Sequence, residues 1–171
     1  MSYINDLLFG VYPYIAGAVF LIASWIRYDR EQFTWRASSS QMLSSKGFRA
    51  ASNMFHVGVL FIFFGHLVGL LTPHALYEPF ISTGNKQLLA IISGGAAGLL
   101  CWVGCFLLLK RRLSDPRVRA TSSGADIFIL VLLFVQVSLG LLTIPFSMGH
   151  LDGSVMLMLA NWAQGLVTFQ A

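Results

Sequence analysis

Polar positions along this chain are confined to short intervals, and between them lie four nearly unbroken apolar runs at residues 7–26, 50–71, 87–109 and 127–148. Each has about the 20 residues, at roughly 1.5 Å of rise apiece, that an α-helix needs to cross a hydrocarbon layer. Backbone groups in lipid have to be bonded within their own segment, so the runs predict helices. The expected fold is all-α, a polytopic transmembrane bundle with four spanning helices. After His150 the pattern changes: Val155, Leu159, Trp162, Leu166 and Phe169 recur at helical spacing, with Asn161, Gln164 and Gln170 between them. That predicts a C-terminal interfacial helix. No internal repeat is present, and residues 1–171 are read as a single membrane domain.

Breakers agree with this division. Thr72-Pro73 closes the second run, Pro79 and Gly84 interrupt the next loop, and Asp115-Pro116 interrupts the one after the third run. Thr121, Ser122, Ser123 and Asp126 offer capping oxygens where the fourth helix should start. Pro13 and Pro145 fall near the ends of apolar runs, where a kink is tolerated if a neighbour satisfies the freed carbonyl.

Composition removes the soluble alternative: 56% of residues are hydrophobic and 11% charged, and the mean hydropathy is +0.72. The first run is too long for a signal-peptide core, follows Asp6 rather than a basic segment, and ends at Trp25, so it reads as a retained anchor. Charge then sets orientation. Arg27, Arg30, Arg36, Lys46 and Arg49 follow the first run, Lys110, Arg111, Arg112, Arg117 and Arg119 follow the third, and Lys86 stands apart. The positive-inside rule places residues 27–49 and 110–120 in the cytoplasm and the N-terminus, residues 72–86 and the tail outside. With the basic excess explained by topology, no nucleic-acid partner is expected; the partner is membrane lipid.

The second run, "ASNMFHVGVLFIFFGHLVGLL", carries His56 about two turns from its inner end and His66 about two turns from its outer end. Ten residues separate them by about 15 Å and three turns less roughly 80°. Ionisable groups in a bilayer are expensive and point to function. A single imidazole could serve as interhelical glue, whereas two at opposed depths favour axial ligation of two haems, one near each face. A proton relay is the other reading, but the helix centres offer no carboxylate. Gly58, Gly65 and Gly69 would leave room for a macrocycle, although Gly65–Gly69 and Gly94–Gly98 equally match close helix packing. Cys101 and Cys105 lack metal-site spacing and read as small packing residues; Gln136 and Ser138 read as interhelical polar groups.

The stretches "YPYIAGAVFLIASWIRYDREQFTWRASSSQML", "ASNMFHVGVLFIFFGHLVGLLTPH", "LLLKRRLSDPRVRATSSGADI" and "LGLLTIPFS" resemble the gamma subunit of membrane-bound respiratory nitrate reductase over nearly the whole chain. The resemblance implies a b-type cytochrome of anaerobic respiration in the bacterial inner membrane. It would oxidise quinol near the outer face and pass electrons through two haems to an iron–sulfur beta subunit and a molybdenum-containing alpha subunit, which reduces nitrate. His56 matches a ligand of the inner haem and His66 a ligand of the outer one. Lys86, Gly65 and His66 match the quinol pocket, where a lysine could hydrogen-bond a quinol oxygen; a snorkelling lysine is the plainer alternative. Lys110, Arg111 and Arg112 would dock the iron–sulfur subunit or pair with haem propionates.

One departure from the family stands out. Its fifth membrane helix, which brings the second histidine to each haem, has no counterpart here, and His74 and His150 lie at the outer edge. The chain is therefore expected to be a fragment or a truncated form. That lends weight to the rival reading, a haem-free membrane anchor or assembly partner; a small transporter with intramembrane histidines is a third.

Overall fold

The computed structural model describes residues 3–34, 40, 42–43 and 47–170. Arg36 and Lys46, counted above among the inner basic residues, lie outside the described residues. Four helices are long and apolar enough to cross a membrane: Tyr3–Arg30, Phe48–Leu71, Thr83–Ser114 and Gly124–Met148, the first to fourth spans. The shorter helix Ser154–Val167 follows, and no strand occurs among the described residues.

Each span overruns its apolar run, because a helix continues into polar flanks until the backbone stops it. Gly47, at φ 73°, precedes the second span, and Thr72 before Pro73 ends it. Asp115, extended before Pro116, ends the third. Ser123 caps the fourth in a reciprocal pair with Asp126, each side chain accepting from the other's backbone N–H.

The chain divides into two compact units at residues 39/40 and 161/162. In the first, residues 6–11 form a π-helical stretch just ahead of Pro13. Proline has no N–H to offer the carbonyl four residues back, which is that of Phe9. Trp162 Nε1 donates to that carbonyl at 2.9 Å, its ring edge-on to Phe9 with centroids 6.2 Å apart. Tyr14 and Phe169 stack one turn further along.

In the second unit the third span lies between the second and fourth and packs on both. Its approach to the second is close enough to exclude a side chain at two glycines. A Cβ on Gly58 would come within 2.7 Å of Cys101 Cβ, and one on Gly104 within 2.8 Å of the Ala51 carbonyl and against Phe55 N. Cys101 and Cys105 are fully buried there as small apolar groups. Against the fourth span, Trp102 Nε1 donates to Ser138 Oγ at 2.9 Å, and its ring packs with Phe106 and Phe134. Gln136, by contrast, is exposed. Spacing alone rated Gly65, Gly69 and Gly94 as packing glycines, yet a Cβ on any of them would meet nothing within 4 Å. Gly58, Gly65 and Gly69 lie within about 20° of one line along the second span, so the two spans touch at Gly58 and have drawn apart by Gly65.

Candidate functional site

Both histidines of the second span stand on its open surface. The stripe Ala51–Phe55–Gly58 meets the third span, and His56, one residue beyond Phe55, is turned roughly 100° away from it. His56 and His66 are exposed. The His56 Nδ1 lies 2.7 Å from the Ser52 carbonyl and 3.3 Å from Ser52 Oγ; the His66 Nδ1 lies 2.8 Å from the Ile62 carbonyl. A carbonyl only accepts, so Nδ1 carries the proton in each ring, and in the neutral imidazole the lone pair is on Nε2. Neither Nε2 has a partner among the described residues.

This is the tautomer and the second contact found in metal-bound imidazoles, whose outer nitrogen is held by a backbone carbonyl. Each ring thus presents the nitrogen and the tautomer that a haem iron would take as a ligand. Among the described residues no three His, Cys, Asp or Glu side chains are grouped to hold a bare metal ion.

Lys86 stands at the start of the third span and is half-buried. Its Nζ donates to the Gly69 carbonyl at 3.1 Å, three residues beyond His66, and sits 3.6 Å from the centre of the Tyr77 ring. Gly65 lies open beside His66. Thus Lys86 reaches the end of the second span that carries Gly65 and His66, while His56 belongs to the other end.

Residues 5–171 match the family described as nitrate reductase gamma subunit. The chain is 60% identical to the respiratory nitrate reductase 1 gamma chain of Escherichia coli over 169 residues, 99% of this chain and 75% of that one. It is 52% identical to the respiratory nitrate reductase 2 gamma chain of the same organism, with 99% and 75% coverage. To the nitrate reductase gamma chain of Bacillus subtilis it is 39% identical over 136 residues, 78% of this chain and 61% of that one.

The chain belongs to the nitrate reductase gamma subunit family.

In this gamma-family chain the arginines of the opposite end have separate tasks. Arg112 donates to Ser122 Oγ at 3.0 Å and pairs with Asp126 at 3.3 Å, tying the end of the third span to the start of the fourth. Arg111 donates to Ser40 Oγ and the Ser40 carbonyl and covers the Phe48 ring. Arg49 is exposed and precedes His56 by seven residues, two turns, so it shares that face.

Three contributors escape sequence reasoning. Tyr77, in the short helix His74–Tyr77, reaches Lys86 only because the loop folds back. Gln87 is buried, and its Nε2 donates to the carbonyls of Ser147 and His150 at 3.0 and 2.9 Å; as one polar residue opening an apolar run it gave no signal. His74 bonds Thr83 and Glu78, and only the His74–Glu78 spacing of four, on one helical face, was visible beforehand.

Proposed function

We propose that this chain acts as one membrane domain of a nitrate reductase, a quinol-oxidising cytochrome b subunit. His56 and His66 each supply one ligand to a different b-type haem, and quinol binds beside His66, Gly65 and Lys86. Electrons pass to an iron–sulfur beta subunit and a molybdenum-containing alpha subunit docked at the arginine-rich end. The basic residues support an orientation in the bacterial inner membrane with residues 27–49 and 110–120 in the cytoplasm. Names of the relatives support nitrate as the terminal acceptor and a multisubunit assembly.

The observation that carries this reading is the shared state of the two imidazoles, Nδ1–H given to a carbonyl and Nε2 left bare on an apolar surface. Haem supplies a reversible one-electron change at iron. The chain's own residues do the rest. His56 and His66 present Nε2 in a fixed rotamer, and Arg49, on the His56 face, offers a guanidinium to propionates. Lys86, already donating one hydrogen bond, has two further N–H groups for a quinol oxygen. The surrounding Phe, Leu and Val side chains keep water away from the ligated faces.

The test is the b-type spectrum and haem content of the assembled complex. Wild type should hold both haems, and His56→Gln and His66→Gln should each remove a different one while nitrate reduction driven by a one-electron dye persists. A colourless wild-type complex, or two variants with full haem content, overturns the assignment and leaves a membrane anchor.

A further inference from the structure

Oxidising a hydroquinone breaks two O–H bonds and releases two protons along with two electrons. In the reading above, the haems held at His56 and His66 would accept the two electrons, one each. The protons need a base and a way to water, and Lys86, with three donors and no acceptor when charged, cannot take them.

Near Lys86 lies a polar chain made of Thr83, His74 and Glu78. Thr83 precedes Lys86 by three residues on the third span, hence on the same face. Its Oγ1 is 3.2 Å from His74 Nε2. On the other side of the ring, His74 Nδ1 is 3.2 Å from Glu78 Oε2. His74 is half-buried and Glu78 is exposed, at 34% and 65% of the side chain, so the chain runs from the Lys86 face to the surface. His74 also abuts the Tyr77 ring that Lys86 covers, with centroids 5.1 Å apart.

The partners on the two nitrogens differ usefully. A carboxylate only accepts, so Nδ1 carries a proton; a hydroxyl donates or accepts, so Nε2 keeps a hydrogen bond whether bare or protonated. His74 is therefore held between an acceptor and a group that can hand it a proton. The groups facing it are Glu78 and Tyr77 from its own turn and Lys86 from the third span. Asp152 lies in the connection whose Leu151 carbonyl packs on Gly84. Hydrogen bonds from the Ser154 side chain and backbone hold its carboxyl below the usual range, so it stays a carboxylate occupied with Ser154.

We infer that Thr83, His74 and Glu78 form the outward proton path of quinol oxidation. Quinol yields a proton through the Thr83 hydroxyl to His74 Nε2, imidazolium passes its Nδ1 proton to Glu78, and the protonated carboxyl releases it to water. That leaves the ring protonated on Nε2; a turn of the ring brings this N–H to Glu78 and the bare nitrogen to Thr83, and the second proton follows the same path. This rests on the quinol site proposed above.

The experiment compares wild type, His74→Gln and Glu78→Gln as assembled complexes, measuring quinol-driven and dye-driven nitrate reduction against pH together with haem content. With haem and the dye rate unchanged, His74→Gln should slow quinol turnover about ten-fold or more, and added imidazole should restore part of it. Glu78→Gln removes the group that takes the Nδ1 proton, so it should slow quinol turnover in the same way with haem and dye rate unchanged. Should His74→Gln fail to assemble, the Glu78→Gln rate decides alone, and an unchanged quinol rate overturns the proposal. If wild type oxidises quinol and both variants match it at every pH, the path is wrong and the quinol site stands. If wild type neither holds haem nor oxidises quinol, site and path fall together.

Discussion

Lys86 Nζ, at the start of the third span, donates to the carbonyl of Gly69, one turn beyond His66 on the second span. A charge-assisted bond of this kind contributes about 1.5–3 kcal/mol, and the Tyr77 ring over which Nζ sits holds it in place. Lys86→Ala should raise the KM for quinol by about ten-fold or more and leave dye-driven turnover unchanged. Tyr77→Leu should raise it less. Quinol titrations of both variants against wild type check this; an unchanged KM in Lys86→Ala would remove the lysine from the site.

Arg49 and His56 share a face two turns apart, and a cation near a haem favours the reduced form. Arg49→Gln should lower the midpoint potential of the haem assigned to His56 by roughly 30–60 mV, where 59 mV is a tenfold change for one electron. The haem assigned to His66 should not move. A redox titration followed at the two haem bands separates them.

Gly104 meets the second span backbone to backbone, so Gly104→Val should force the two spans apart at a cost of about 1–3 kcal/mol. Gly65→Ala, in open space, should cost almost nothing by the same measure. Cys101 and Cys105, fully buried in wild type, report the difference. A membrane-permeant thiol reagent should label them faster in Gly104→Val and at the wild-type rate in Gly65→Ala.

Trp162 and Pro13 act on the same carbonyl, that of Phe9. Trp162→Phe keeps the aromatic packing and removes the donor, which should cost about 0.5–1.5 kcal/mol in thermal unfolding in detergent. Pro13→Ala restores a backbone N–H to that carbonyl. The double variant should lose less than the sum of the two single effects, a coupling that a double-mutant cycle reads directly.

The four spans, their order and the C-terminal helix were legible in the sequence. A bilayer solvates only apolar side chains and requires every backbone group to be bonded, so run length and punctuation leave one structure to form. The places of His56 and His66 along the second span followed from counting residues along a helix of known rise, and the Ser123–Asp126 cap from residue types at fixed spacing. Where along a face two spans touch was not legible. Gly58, Gly65 and Gly69 share one face of the second span, so spacing offered Gly65 and Gly69 as readily as Gly58, and only the crossing of the helices chose. Contacts between distant residues were also hidden. Lys86 with Gly69 spans 17 positions and Trp162 with Phe9 spans 153, and neither leaves a periodic trace. Solvent dictates what a membrane helix is made of, whereas its neighbours dictate which way it faces; the first is written in composition and the second exists only once the helices have packed.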